Sequence, residues 1–181
     1  MTFVQSESIK GKFTHWLDRK YKKDVLKGIF DVKEPNLVIK PKGIWLSWNG
    51  GWEGYCREDY TSWMKGKVML NAKIKSGLRI WLIDDVDDFM EVWNQFELPA
   101  VINPKIKLIN DFGPASMMRL IEAKERGIDF WEWFQKKFKI DGVALTDTGQ
   151  CRTRMTTWLY GWDAQSIVIF NPNNVILAET K

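Results

Sequence analysis

The stretch KVMLNAKIKSGLRIWLI, residues 67–83, decides the fold class. Its first half alternates. Val68, Leu70, Ala72 and Ile74 face one way, while Asn71, Lys73 and Lys75 face the other, the period-two pattern of a half-buried strand. Ser76-Gly77 interrupts the pattern, and residues 78–83 begin another strand. So short a link leaves no room for the helical crossover that a parallel pair requires. Near the C-terminus, SIVIFN (166–171) and NVILA (174–178) lie equally close on either side of Pro172. DVLKGIF (24–30), NLVIK (36–40), GIWLSW (43–48), KIKLI (105–109) and IDGVALT (140–146) read as further strands.

Helical periodicity fills the intervals. Ile9, Phe13, Trp16, Leu17 and Tyr21 recur at helical spacing, with Lys10, Lys12, Arg19, Lys22 and Lys23 on the remainder, so 6–22 reads as a basic amphipathic helix. A second helix is expected over 52–64. A third spans DDVDDFMEVWNQF (84–96), where Asp84, Asp85, Asp87 and Asp88 crowd the end at which the helix dipole favours negative charge. That accounts for the acidic cluster without a metal. Pro114 and Gly127 bracket a fourth helix, and Asp129 with Glu132 forms a capping box that opens FWEWFQKKF (130–138). Residues 147–162 read as loop. The expectation is one α+β domain over residues 1–181 with a mostly antiparallel sheet, its first 23 residues forming the basic helix and 24–181 the core.

Composition narrows the chemistry. With 45% hydrophobic residues the chain can bury a sizeable core, and no run approaches a membrane span. MTFVQSESIKGKF lacks the apolar segment of a signal peptide, so a cytoplasmic location is expected. Two cysteines, Cys56 and Cys151, far apart in sequence, make neither a disulfide framework nor a zinc site. The single histidine, His15, argues against multi-histidine metal sites and Ser-His-Asp catalysis; on a helix it reads as structural. No GxxxxGK, GxGxxG, HExxH or CxxC motif occurs. The net charge of +4 permits an anionic partner, and eleven tryptophans mean a bulky core with some rings free to line a pocket.

Read in order, the segments resemble the ADP-ribosyltransferase-like domains of bacteria and their phages. DVLKGIF is similar to the family's opening strand. PKGIWLSW followed by WEGYCREDYTSWM is similar to its glycine–apolar–aromatic–apolar–serine strand and aromatic helix. KVMLNAKIKSGLRIWLIDDVDDFMEVW is similar to its paired strands and acidic-capped helix, and IDGVALT with AQSIVIFNPNNVI to its closing strands. The resemblance implies a split sheet flanked by helices, NAD as substrate, and transfer of ADP-ribose to a macromolecular acceptor, either protein or nucleic acid. It places Lys27, Gly43, Trp45, Ser47 and Tyr55 around NAD. Asp163 and Gln165 stand where the family carries its catalytic glutamate, and Arg152 and Arg154 lie in reach of the acceptor. With Gln165 at the glutamate position, two readings stay open. Either Asp163 supplies the carboxylate, or the fold serves as a non-catalytic module that binds nucleic acid or a protein partner.

Overall fold

The computed structural model describes residues 1–30, 40–58, 60–93, 95–96, 121, 123–125, 127–153 and 162–180. The expected strands at 36–40 and 105–109 fall almost wholly outside them, as does most of the expected helix after Pro114. The protein is α+β. Eight strands form one mostly antiparallel sheet: β1 Thr2–Gln5, β2 Phe13–Asp18, β3 Ile44–Trp48, β4 Lys67–Ile74, β5 Arg79–Ile83, β6 Gly142–Leu145, β7 Ser166–Ile169 and β8 Val175–Glu179. Their spatial order is β1-β5-β6-β7-β3-β2-β4-β8, with only β5 and β6 parallel. The helices are α1 Lys22–Leu26, α2 Gly51–Glu58, α3 Val86–Trp93, α4 Phe130–Phe138 and α5 Asp147–Thr153. Among the described residues no helix is long and apolar enough to cross a membrane.

The closely linked strands do not pair with each other. β4 passes into β5 through residues 75–78, yet the two are five positions apart in the sheet. In a flat sheet that separation would be ~24 Å at about 4.8 Å per strand. The five peptide steps from Ile74 to Arg79 reach at most ~17 Å. The sheet must therefore curl until its two ends approach, and β7 and β8 make a second short jump of the same kind. One core fills the inside of the curl, with Ile9, Ile44, Leu46, Ile80, Ala144, Ile167 and Ile169 buried there. A second lies on the outer face of β5, β6 and β7, where Trp81, Val143 and Val168 meet Phe89 of α3 and Phe130 and Phe134 of α4. These strands are buried on both faces, which explains why their sequences are runs of apolar residues rather than alternations.

Three expectations fail, each for a local reason. Residues 6–22 are not a helix: a 3-10 turn at Ser6–Ser8 leads to Gly11 at φ +141°, and β2 follows. A side chain at Gly11 would collide with Trp48 and Asn49. The apparent helical period arises because β2 lies between β3 and β4 and has apolar side chains on both faces. The N-terminal segment thus supplies two strands of the sheet rather than an appended helix. DVLKGIF is not a strand: α1 runs through Leu26 and stops at Gly28, whose φ of +79° suits a helix end. Residues 147–153 are helix rather than loop. The Thr146 hydroxyl accepts from the Gly149 N–H at 2.9 Å and caps α5, and Gly149 lets the helix lie against the Ile83 carbonyl. The capping box at α4 holds, with Asp129 accepting from the Glu132 N–H at 3.0 Å. Asp88 likewise accepts from the Asp84 and Asp85 N–H groups at the start of α3.

Two glycines test this packing. A methyl group at Gly142, in the middle of the curled sheet, would overlap the Val168 carbonyl oxygen. Gly142→Ala is expected to destabilise the protein by about 1–3 kcal/mol. Gly54 lies within α2 with nothing within 4 Å of an added Cβ, so Gly54→Ala is expected to stabilise by about 0.5–1 kcal/mol. Urea unfolding midpoints of the two variants, compared with the parent, check both signs.

Candidate functional site

The weakest seam of the sheet lies between β2 and β3. These strands share only two residue pairs, Phe13↔Trp48 and Thr14↔Ser47. By contrast, β2 and β4 share six. Beyond Thr14 and Ser47 the strands part. The His15 ring enters the gap and donates from Nδ1 to the Trp45 carbonyl at 2.9 Å, where a ladder bond would otherwise form. A carbonyl can only accept, so this contact fixes the Nδ1–H tautomer and leaves Nε2 as an acceptor. Burial holds the His15 pKa below its ordinary value, opposed by the Trp45 carbonyl, so the ring is neutral at pH 7.

The gap is a cavity of about 330 Å³. Consecutive residues of both strands line it, His15 and Trp16 on β2 and Trp45, Leu46 and Ser47 on β3. These residues flank the point where the two strands stop pairing. Trp52, Trp63 and Trp162 complete an aromatic wall, and Lys40, Lys67 and Asp163 bring charge to it. Trp45 and Trp162 meet edge to face, with 4.4 Å between centroids. Lys40 Nζ stands 5.5 Å from the Trp45 ring. Burial lowers the Lys40 pKa, and the nearby Asp163 charge opposes that shift without cancelling it.

A buried carboxylate holds the closed end of the seam. Glu53, 8% exposed in the first turn of α2, accepts from the Thr14 hydroxyl of β2 at 2.5 Å and from the Ser47 hydroxyl of β3. Ser47 in turn accepts from the Trp52 N–H at 3.1 Å, which ties α2 to β3. Burial pushes the Glu53 pKa up. The Ser47 and Thr14 hydroxyls, the Trp16 indole close by and its own N–H pull it down, and the net shift is downward. The Trp16 N–H itself has no hydrogen-bond partner of adequate geometry. The tight turn that brings Glu53 into place uses left-handed backbone at Asn49 (φ 52°) and Gly50 (φ 77°).

The residues singled out from sequence divide accordingly. Trp45, Ser47 and Asp163 come together at the cavity. Gln165 does not join them. It precedes β7 in a bend, its carbonyl accepts from the Trp48 N–H at 3.2 Å, and it packs beneath Gly51. Asp163 lies in the same irregular segment, so the two do not share a strand face. Gly43 abuts the Ile169 carbonyl of β7, and Lys27 ends α1; neither lines the cavity. Tyr55 packs against Tyr60 at 5.2 Å on α2's outer side. Tyr60 is 41% exposed. Arg152 is ion-paired with Asp85 at 2.5 Å, and Arg154 lies outside the described residues. His15, expected to be structural on a helix, lines the cavity from a strand. Sequence reasoning passed over Glu53 because an acid in a helix first turn is ordinary. Only the fold shows that Thr14 and Ser47 converge on it. Among the described residues no group of three or more His, Cys, Asp or Glu side chains is placed to hold a metal.

The chain matches no family model, and no curated protein and no solved structure matches it.

The Glu53 clamp makes a pH-dependent contribution to stability. A native carboxyl that binds its proton less tightly than an unfolded one stabilises fully above the ordinary value of 4.5. That contribution is lost as pH falls through the lower native value. Glu53→Gln presents an amide N–H₂ to a hydroxyl that needs an acceptor and is expected to cost about 1–3 kcal/mol at pH 7. Denaturation at a series of pH values should show the gap between parent and variant narrowing below pH 4.5.

Proposed function

We propose that the cleft between β2 and β3 binds NAD and transfers its ADP-ribose to a macromolecular acceptor, on an ADP-ribosyltransferase-like fold. The observation that carries this reading is the parted seam. It joins an aromatic-walled slot to one carboxylate, Asp163, and two cations, Lys40 and Lys67. A cavity of about 330 Å³ is at the small end of ligand sites, which run from ~300 to ~1,000 Å³. It suits the nicotinamide riboside half, with the adenylate half extending along the mouth. The nicotinamide ring stacks among Trp45, Trp52 and Trp162, and Lys40 meets the pyrophosphate as a point charge.

The chemistry follows from that placement. The bond from the ribose anomeric carbon to the nicotinamide nitrogen breaks, and its electron pair leaves with the nicotinamide, cancelling the ring's positive charge. Positive charge develops on the ribose, where the Asp163 carboxylate stabilises it. The acceptor nucleophile then bonds to the anomeric carbon and releases its proton to water. Neutral His15, its Nδ1 occupied by Trp45, offers Nε2 as a hydrogen-bond acceptor on the β2 wall.

A second reading, binding without turnover, has one observation in its favour. Both oxygens of the deeply buried Glu53 carboxylate are already engaged, and Gln165 is off the lining, so Asp163 carries the electrostatic burden alone among the lining residues.

Incubation with labelled NAD and cell lysate distinguishes the two. Transfer is expected to put label on a macromolecule and to fall about 100- to 1,000-fold in Asp163→Asn. Lys40→Ala is expected to weaken NAD binding about tenfold in calorimetry, and Arg152→Ala to change neither. NAD binding with no label transferred supports binding without turnover. No NAD binding ends both versions of an NAD site.

A further inference from the structure

The acceptor side of the cleft has a chemistry of its own. Tyr60 and Trp63 are 41% and 47% exposed, an unusual state for such large rings. They stack nearly parallel, 4.5 Å between centroids and 20° between planes. Tyr55 packs beneath them, 5.2 Å from Tyr60 and 6.4 Å from Trp63. Trp63 also lines the cavity, where Trp52 faces Trp16 at 5.4 Å. Trp63 therefore belongs both to the exposed ring group and to the cavity wall.

Positive charge borders the same edge. The Arg19 N–H donates to the Gly66 carbonyl at 3.1 Å, which sets the exposed Arg19 and Lys20 beside the turn carrying the exposed Lys65. Lys67 reaches the cavity and pairs with Asp18 at 3.1 Å. Among the described residues, Asp18 is engaged with Lys67 and Glu58 ends α2, and Asp59 precedes Tyr60 in the sequence. A protein segment would ask only for the apolar rings. Half-exposed rings beside Arg19, Lys20 and Lys65, which make no ion pair among the described residues, fit a chain that alternates flat bases with anions.

We infer that the Tyr60–Trp63 platform docks a single-stranded nucleic acid. Bases stack on the two rings, Arg19, Lys20 and Lys65 meet phosphates, and the strand enters the cleft as the acceptor. The role as acceptor rests on the transfer reading above; the docking does not.

Fluorescence anisotropy with labelled oligo-dT and oligo-U of about a dozen nucleotides, without NAD, tests the docking separately. Single strands are expected to bind more tightly than a duplex of the same length. Trp63→Ala and Tyr60→Ala are each expected to weaken binding about 5- to 100-fold, with circular dichroism unchanged because both rings are exposed. Lys65→Glu is expected to weaken binding and flatten the salt dependence. For three phosphate contacts the slope of log affinity against log salt should be about −2. Tyr60→Ala should leave NAD affinity as it was. Several results would overturn the inference. These are equal affinity for duplex, binding that survives both ring substitutions, and no oligonucleotide binding while an apolar peptide binds the platform. Oligonucleotide binding without NAD binding would keep the docking surface and remove the transfer reading. NAD binding without oligonucleotide binding would do the reverse.

Discussion

The architecture depends on one ionised carboxylate at the point where two strands separate. Glu53 bridges the Thr14 hydroxyl of β2 and the Ser47 hydroxyl of β3, the last residues at which those strands pair. A buried charge is costly unless its oxygens are satisfied, and here both are. The same Ser47 hydroxyl holds the start of α2 through the Trp52 N–H, so strand, strand and helix meet at one group. Below that point the sheet continues; above it the backbone groups of β2 and β3 no longer face each other. The imidazole of His15 takes up one of the carbonyls that parting would leave without a partner.

The curl of the sheet explains why the opening occurs at this seam. Two short links, 75–78 and 170–174, tie strands that stand far apart in the pairing order. The β5-β6-β7 region is buried on both faces and cannot yield, since helices α3 and α4 cover one side and the inner core the other. β2, β4 and β8 form the opposite arm, which pairs into the sheet at β3. The divergence falls at that junction. It gives the cavity walls from both arms, with Asp163 delivered from the segment before β7 and Lys40 from the segment before β3.

Much of this was legible in residue order, though sometimes for an incomplete reason. The alternation in Lys67–Ile74 and the apolar blocks before Asn171-Pro172 gave true strands. The short links correctly implied an antiparallel sheet, but the linked strands are not partners. Local spacing carries no information about a curl imposed by the whole chain. Phe13, Trp16 and Leu17 misled because a strand enclosed on two sides loses its period of two. Gly11 marked the error, since its positive φ is incompatible with a helix. At the site, Ser47 and Asp163 could be singled out as polar residues at the ends of apolar strands. Glu53, Lys40 and His15 could not be assigned, because the partners that define them lie far off in the chain: Thr14 is 39 residues from Glu53, Trp45 is 30 from His15, and Asp163 reaches Lys40 from the segment before β7. The exposed pair Tyr60 and Trp63 was hidden in a stretch, 52–64, that reads as one aromatic helix, whereas α2 stops at Glu58 and Trp63 lies in the 3-10 turn Thr61–Met64.

A crystal of the protein soaked with NAD tests the central claim most directly. The account predicts density for the nicotinamide end between β2 and β3, bounded by Trp45 and Trp162, with the ribose beside Asp163 and the pyrophosphate within reach of Lys40. Density at any other surface, or a seam that stays unliganded while NAD is bound in solution, would contradict it.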